Sequence, residues 1–436
     1  MKKHVVIGIF LLGLFGSAQS SKLDKDYAAI ESKVIEWRRD IHQNPELSNR
    51  EFKTAEKIAA HLKSLGIEVQ TGVAHTGVVG ILKGNKPGKV VALRADIDAL
   101  PVPERNDLPY KSTVMGEFMG QEVPVMHACG HDTHTAILMG VAEVLSKNKD
   151  KIKGTVKFVF QPAEEGPPPG EEGGALLMVK EGALKSPDVN AIFGLHINSQ
   201  TPVGVIRYKS GGIMAAAQSF TIKVKGKQSH GSQPWAGVDP ILISAKIIDG
   251  LQTIISRETE LTNEAAVITV GKITSGVRFN IIPESAEMLG TIRTLDYDMK
   301  DKLNKRMIEM VETIAKAYGG EATCEIEDAT DITFNNPELT AMMLPTIERV
   351  AGKANVLTQK AVTGAEDFSY FQREVPGFFF FLGGMTPGNT QSFPHHTPDF
   401  LIDDSGLLLG VKTLTEMSLD YLNSSQKPML SSSIKG

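Results

Sequence analysis

The 436-residue chain lacks several features that would have narrowed its function at once. It has only two cysteines, no run of lysine or arginine, no low-complexity tract and no internal repeat. A formal net charge of −5 without a basic run argues against binding to nucleic acid or to an anionic membrane surface. The remaining composition, 41% hydrophobic and 22% charged residues, is that of a globular protein. The length predicts two or three domains.

The N-terminal apolar run, residues 5–15, is also too short for a membrane anchor, at about half of the ~20 residues that span a bilayer. Two lysines precede the run and small residues follow it, as in a cleaved signal peptide. No cysteine follows, which argues against a lipoprotein. We therefore expect residues 1–20 to be a signal peptide, cleaved after Ala18 or Ser20. The protein would be periplasmic or secreted, without stable membrane insertion.

The two cysteines lie in very different surroundings. Cys324 is in EATCEIE, whose alternation predicts a strand. Cys129 is in MHACGHDTHTA, where three histidines fall between positions 127 and 134. In an oxidising compartment two cysteines would by default form a disulfide. The segment thus has three interpretations: half of a disulfide, a metal site, or a helix start that happens to be rich in histidine.

Four short apolar runs end in carboxylates or histidines: KVVALRADIDALP, TVKFVFQPAEEG, NAIFGLHIN, and GFFFFLGG with SFPHHTPDF after it. Such runs predict buried strands of a largely parallel sheet, and helical patterns at 135–147 and 175–181 lie between them. Ligands of open α/β sheets bind beyond the carboxyl ends of the strands. The clustering of polar residues at these ends therefore favours an active site.

The stretch from about 215 to 328 has a different pattern, with elements in the order β-α-β-β-α-β. That order describes a small ferredoxin-like unit. Because helices and the FFFFLGG strand follow it, the unit is predicted to be inserted into the larger domain. The predicted organisation is a signal peptide (1–20), a first catalytic segment (21–214), the inserted domain (215–328) and a second catalytic segment (329–436).

Within MHACGHDTHTA, Pro124 and Gly130 argue against a helix across the whole cluster. Asp132 is a suitable N-cap, so Cys129 and His131 are expected to precede the helix and, two residues apart, to point the same way. A thiol near a helix N-terminus loses its proton more easily, as a metal ligand must.

A Cys-x-His pair alone indicates a metal only weakly, because two ligands do not make a site. Glu165, His196 and His396 follow other predicted strands and can supply the missing ligands. Five N, S and O ligands suit a pair of borderline metals such as zinc or manganese, with Cys129 able to bridge them.

The carboxylates near these ligands have separate predicted tasks. Glu164 and Glu165 are adjacent, so one can coordinate a metal while the other faces a water as general base; a solvated turn is the alternative. Asp98 is the natural carboxylate to orient the metal centre. Arg94 and Asp96 share its strand face, and the arginine could neutralise the two aspartates.

The motifs RADIDALP, MHACGHDTHTA, QPAEEG, GLHI, KGKQSHGSQPWAGVDP, NIIPESAEMLGTIRT, GAEDF and HHTPDF occur in this order. The chain thereby resembles the dinuclear-metal aminoacylase/carboxypeptidase family over about residues 25–425. It is most similar to the branch of hippurate hydrolases, auxin-conjugate hydrolases and N-acyl-diaminopimelate deacetylases. The resemblance implies an α/β, zinc-peptidase-like catalytic domain with an inserted lid or dimerisation domain.

Carried over position by position, the resemblance implies the metal ligands Cys129, His131, Glu165, His196 and His396. It implies that Glu164 is the general base and that Asp98 orients the metal centre. In the lid, it implies that His230 meets the substrate or its oxyanion, often in the partner subunit's site, and that Asn280 and Arg293 bind a substrate carboxylate. His127 and His134 match the motif outside the ligand set.

The function predicted is hydrolysis of N-acyl amino acids by a homodimer that carries two divalent metal ions. Zinc and manganese are the first candidates, and cobalt and nickel are further ones. A carboxypeptidase or dipeptidase, a non-catalytic solute-binding protein and a structural disulfide protein are the alternatives. Three departures from the family pattern, the PPPGEEGG segment, Trp235 and Gln218, concern the substrate and leave the metal chemistry unchanged.

Overall fold

The computed structural model of the chain describes residues 22–430, so the predicted signal peptide lies outside the described residues. Within that range, no helix has both the length and the apolar character needed to cross a membrane. The α-helices of this range are α1 (Lys22–Gln43), α2 (Phe52–Ser64), α3 (His131–Lys147), α4 (Gly174–Lys180), α5 (Pro240–Thr253), α6 (Tyr297–Ala317), α7 (Pro337–Ala351), α8 (Ser369–Glu374) and α9 (Leu407–Asn423).

The strands of the same range are β1 (Glu68–Val73), β2 (Gly77–Lys83), β3 (Lys86–Asp96), β4 (Met115–Phe118), β5 (Gln121–Pro124), β6 (Lys153–Gln161), β7 (Ala191–Pro202), β8 (Ile206–Tyr208), β9 (Gly211–Met214), β10 (Ala216–Lys225), β11 (Ser229–His230), β12 (Ala266–Ser275), β13 (Ile281–Ile282), β14 (Ser285–Thr294), β15 (Glu321–Thr330), β16 (Thr333–Asn335), β17 (Val356–Thr358) and β18 (Gly377–Met385).

The larger sheet has eight strands in the order β1-β2-β6-β3-β7-β18-β8-β17. Its four central strands, β6, β3, β7 and β18, are the four apolar runs of the sequence and pair in parallel. On one side, β2 pairs antiparallel with β6 and β1 pairs antiparallel with β2. On the other side, β8 pairs antiparallel with β18, and the edge strand β17 pairs in parallel with β8. The predicted α/β fold with a parallel centre is confirmed.

Helices cover both faces of this sheet, as the nearly continuous burial of its central strands requires. On one face α1, α2, α3, α7 and α9 bury the largest apolar cluster against β3, β6, β7 and β18. On the other face α4 and α8 bury a smaller one, which includes Phe368, Phe371 and Phe379. The carboxyl ends of the central strands therefore meet at one edge of a rigid sheet.

The second sheet contains β12, β14, β10 and β15 in that order, with antiparallel pairing throughout. Helices α5 and α6 pack on it over a core of its own, which includes Ile222, Met288 and Met307. The order of elements is the β-α-β-β-α-β of a ferredoxin-like unit. Asp239 and Asp296 cap the two helices by accepting backbone N–H bonds. This unit begins one residue after the predicted boundary at 215 and ends at Thr330.

Candidate metal centre

The predicted catalytic residues collect at the carboxyl edge of the large sheet. Asp96 is the last residue of β3, Glu164 and Glu165 follow β6, and His196 lies in β7 beside the end of β3. His396 lies in the loop after β18. Cys129 and His131 reach the same edge from the segment before α3.

Helix α3 begins at His131, which corrects the expected start at Thr135 with Asp132 as N-cap. Gly130 allows the early start because it has φ +95°, and a Cβ there would lie 2.4 Å from Ile197 Cγ2. Asp132 is buried instead and pairs with Arg38 Nε at 2.7 Å. His131 is thus held by the first turn of a buried helix.

Two groups of three potential ligands share Cys129. One contains His131 and His196, the other Glu165 and His396, and within each group the ligand atoms lie within 4.8 Å of one another. Cys129 Sγ is 3.4 Å from His196 Nε2 and 3.3 Å from His396 Nε2. One thiolate between two such groups is the arrangement that a bridged pair of divalent metal ions requires.

The orientation of His131 supports this interpretation. Its Nδ1 lies 3.0 Å from Asp98 Oδ1, so the ring donates to a carboxylate on the side away from Cys129. Its Nε2 is buried without a hydrogen-bond partner among residues 22–430, and it lies 3.7 Å from an oxygen each of Asp96 and Glu164. A carboxylate behind a histidine fixes the ring for metal binding. The unpartnered Nε2 is the atom that a metal would satisfy.

The protonation of these groups is governed by burial and by close carboxylates. Burial alone would lower the pKa of His131, but Asp96 and Asp98 raise it to about 10. Burial lowers the pKa of His196 well below its usual value. Burial and then Glu165 raise the pKa of the Cys129 thiol, so the predicted easy loss of its proton is wrong for the metal-free protein. Added positive charge, such as that of a metal ion, would favour the thiolate.

Glu164 lies beside the two ligand groups but has a different environment. Its side chain is 9% exposed, and Oε2 lies 3.7 Å from His131 Nε2. Burial, followed by Glu366 and Glu165, raises its pKa well above the usual value. A carboxylate with a raised pKa at the rim of a metal site is suited to accept and return a proton.

A buried ion cluster behind Glu164 was only partly visible in the sequence. Arg94 donates to Asp96 at 2.7 Å, to Glu366 at 2.8 Å and to Asp367 at 3.0 Å. Arg94 therefore neutralises Asp96, as predicted. Its other carboxylate partners are Glu366 and Asp367 of the GAEDF motif, in place of the predicted Asp98. Arg94 compensates carboxylates that would otherwise repel Glu164.

His134 also contacts Asp96, with Nδ1 2.5 Å from Oδ1, and its Nε2 accepts from the Ile197 N–H. Asp96 is therefore held between Arg94 and His134, and the role of this histidine is to fix the position of Asp96. His127 is buried, and neither of its ring nitrogens has a hydrogen-bond partner within the described residues. Burial lowers its pKa to about 4.

Glu51 supports the turn that carries Glu164, although no sequence motif marks it as a functional residue. The fully buried Glu51 accepts from the Ala163 N–H at 2.9 Å and from the Thr76 hydroxyl at 2.5 Å. Ala163 has φ +51°, an uncommon conformation for a residue with a Cβ. Ser48 similarly donates to Asp98 at 2.7 Å. From the segment before α2, Glu51 thus positions the turn that carries Glu164, and Ser48 positions Asp98.

The three predicted lid residues lie in the smaller unit and, within residues 22–430, form no hydrogen bond with a predicted metal ligand. His230 is exposed, and its Nδ1 is 2.7 Å from the Ser232 hydroxyl. Arg293 donates to the Thr291 hydroxyl and to the Ile292 carbonyl. Asn280 Oδ1 is buried, with no hydrogen-bond partner in the part of the chain that the structure describes. His230 and Asn280 are neighbours, because β11 pairs with β13 and Gly231 N–H donates to the Asn280 carbonyl.

The three departures from the family pattern lie in different parts of the structure. Trp235 is 81% exposed on a short turn of the smaller unit. Gln218 is buried in β10 and donates to Asp328. Pro167–Pro169, in contrast, line a cavity of about 490 Å³ that reaches Glu165.

These observations can be compared with known proteins. Residues 92–420 match the Peptidase family M20/M25/M40. The chain belongs to this family. Thermostable carboxypeptidase 2 of Saccharolobus solfataricus is 43% identical over 406 residues, which are 92% of this chain and 98% of that protein. IAA-amino acid hydrolase ILR1-like 2 of Arabidopsis thaliana is 33% identical, and the match covers 95% of this chain and 93% of that protein.

The similarity to the M20/M25/M40 family is also found in the three-dimensional structure. The crystal structure of the Bacillus subtilis YXEP protein, described as a dinuclear metal binding peptidase from the M20 family, superposes with a TM-score of 0.76. It is 34% identical to this chain and covers 91% of it, while this chain covers 99% of that structure. The protein is therefore a metal-dependent hydrolase of amide or peptide bonds, and its site suits two divalent metal ions.

Two alternatives from the sequence are thereby removed. Membership in a family of hydrolases opposes a non-catalytic solute-binding protein. A structural disulfide is also wrong, because Cys129 and Cys324 are both free thiols, one buried at the metal centre and the other on β15 of the smaller unit.

Proposed function

We propose that this M20/M25/M40 enzyme hydrolyses the amide bond of N-acyl amino acids, using Glu164 as the general base and two zinc or manganese ions. Cobalt and nickel are further candidates for the metal. The observation that carries the proposal is the position of the Glu164 carboxylate, which lies beside two ligand groups that share Cys129. A protein that only bound a ligand would need no such base.

Cys129, His131 and His196 would hold one metal ion, and Cys129, Glu165 and His396 the other. When bound, the ions supply Lewis-acid activation of water and of the amide carbonyl. Glu164 accepts the proton of the attacking water and then delivers it to the amine that leaves. Asp98 keeps the His131 ring in place, and Arg94 limits the repulsion among the carboxylates behind Glu164.

The amine side of the substrate is proposed to be an amino acid with a free α-carboxylate. Arg293 has no carboxylate partner within the described residues, and the side-chain amide of Asn280 can offer an N–H to a carboxylate. Both lie in the smaller unit together with His230. Since none of them bonds to the metal centre within one chain, we propose a homodimer in which His230 serves the active site of the partner subunit. An arginine binds a carboxylate through two parallel hydrogen bonds.

The decisive experiment compares kcat/KM for N-acetyl, N-benzoyl and long-chain N-acyl amino acids, for the matched amides that lack the α-carboxylate, and for dipeptides. A preference for N-acyl amino acids over both other groups is expected. Equal values for carboxylates and amides would reject the proposed role of Asn280 and Arg293. A preference for dipeptides would favour the second candidate, a carboxypeptidase or dipeptidase, to which the name of the Saccharolobus relative points.

Export by a cleaved signal peptide is also part of the proposal, and its support is the pattern of residues 1–20 alone. N-terminal sequencing of the mature protein should find a chain that starts at residue 19 or 21. An intact N-terminus on protein recovered from the cytoplasm would reject export.

A further inference from the structure

The cavity of about 490 Å³ beside the metal centre has a defined inner end and a defined outer end. The inner end is formed by Glu165, a predicted metal ligand, and by Ser48, which donates to Asp98. The outer end is formed by Phe118 and Met119 of the β4–β5 hairpin. A volume of this size lies within the ~300–1,000 Å³ of small-molecule sites.

The walls between these ends are mainly apolar. The apolar lining comes from Leu47, Leu100, Pro101 and Pro167–Pro169, and the exposed Glu117 adds a carboxylate. The cation of the cavity, Arg50, is already paired with Glu171, at 2.6 Å between Nη2 and Oε1. The walls therefore suit an uncharged apolar group better than an anion.

The hairpin tip has an unusual sequence for its geometry. Phe118 pairs with Gln121, and the two residues between them, Met119 and Gly120, have φ of +53° and +74°. Two-residue turns with positive φ at both positions prefer asparagine, aspartate or glycine at the first one. Here that position carries a methionine, 72% exposed at the mouth of the cavity. A flexible thioether is well suited to cover apolar groups of variable shape.

We infer that the β4–β5 hairpin forms the outer wall of an acyl pocket, in which Phe118 and Met119 select medium-chain, apolar acyl groups. The inference rests on the proposed function, because the α-carboxylate is assigned to the smaller unit and the acyl group must then lie on the opposite side of the scissile amide. The cavity is on the catalytic unit and starts at Glu165. An apolar acyl chain there would extend from the metal centre towards the hairpin.

The test uses the metal-loaded, full-length enzyme and acetyl, butanoyl, hexanoyl, octanoyl and decanoyl derivatives of one amino acid. A buried methylene contributes ~0.8 kcal/mol, so kcat/KM should rise by up to about fourfold per added methylene until the pocket is filled. In a Phe118→Ala/Met119→Ala double variant, kcat/KM for the octanoyl substrate should fall at least about tenfold. The acetyl substrate should change by less than about twofold, because it does not reach the hairpin.

Met429→Ala is a matched control, since Met429 is 74% exposed and does not line the cavity. It should leave the dependence on chain length unchanged. An unchanged octanoyl-to-acetyl ratio in the double variant would overturn the acyl pocket, as would a wild-type enzyme that is indifferent to chain length. In both cases the proposed N-acyl amino acid hydrolysis would stand. Absence of turnover with every member of the series would reject the proposed function and the pocket together.

Discussion

Replacing Glu164 by glutamine removes a proton acceptor while keeping the size and shape of the side chain. General acid–base catalysis contributes about 10²–10⁴-fold, or about 2.7–5.4 kcal/mol. The other carboxylates close to Glu164 have partners of their own: Arg94 holds Glu366 and Asp367, and Glu165 is a proposed metal ligand. With no free substitute, we expect a loss towards the upper end, about 10³–10⁴-fold in kcat, measured on the best N-acyl amino acid at saturating metal.

The same substitution should leave metal binding intact, and it should change how stability depends on pH. In the metal-free protein burial and neighbouring carboxylates raise the Glu164 pKa, so its contribution to stability is fully present below about 4.3, the value of an unfolded glutamate. That contribution is lost as the pH rises through the raised pKa of the folded state. The unfolding temperature of the metal-free wild type should therefore fall more between pH 5 and pH 9 than that of Glu164→Gln.

Glu165→Gln is the matched control, because it changes the adjacent carboxylate, which is proposed to bind metal. It should lower the bound metal measured after dialysis, whereas Glu164→Gln should not. Turnover near the wild-type rate in Glu164→Gln would assign the base to another group. Loss of metal from Glu164→Gln would instead make Glu164 a ligand, and the proposed division of labour between the two glutamates would be refuted.

Three further predictions address the thiol, the support of the turn and the lid. Mass spectrometry of the chelated, denatured and unreduced protein should find two free thiols, and Cys129→Ser should lose metal; a disulfide would contradict the ligand role. Glu51→Ala should lower kcat more than it raises KM, by about 10-fold, because the Ala163 N–H then lacks its acceptor and an unsatisfied buried donor costs ~1–3 kcal/mol; an unchanged kcat with wild-type metal content would limit Glu51 to a structural role. Mixing the inactive Glu164→Gln and His230→Ala proteins should restore activity through mixed dimers. Light scattering that finds a fully active monomer would reject the dimer and its action in trans.

The large sheet could be predicted from the sequence because its central strands are short apolar runs with abrupt polar ends. The edge where those ends meet follows from parallel pairing, so the strand-end candidates Asp96, Glu164, Glu165 and His196 could be expected near one another. The order of elements in the smaller unit was predictable for a similar reason. Segments in which apolar residues recur at every second position, typical of strands, alternate there with segments that have helical spacing.

The residues that position the catalytic groups, Ser48 and Glu51, could not be predicted from the strand pattern. Ser48 and Glu51 form an S-x-x-E pattern before α2, which is typical of a helix cap. Yet Glu51 does not cap α2, whose first-turn N–H groups at Lys53 and Thr54 donate to Glu46 instead. Ser48 turns towards Asp98, and Glu51 turns towards Ala163. Only tertiary packing decides between these uses of the same residues. The start of α3 at His131 is hidden from the sequence pattern for a similar reason, because the apolar period does not extend into a first turn whose polar residues are all buried.

The separation of the ligands along the chain has a consequence for how the protein is made. Cys129 and His396 are 267 residues apart, and the whole smaller unit lies between them. During synthesis from the N-terminus, that unit, with its own core, can fold before β18 and the His396 loop have emerged. Until then the second ligand group is incomplete, and Cys129 lacks one of its neighbours. Completion of the second ligand group is therefore a late step in the folding of the nascent chain, whereas Cys129, His131 and His196 all emerge before the smaller unit. In an oxidising compartment, the supply of metal at that moment competes directly with oxidation of the thiol.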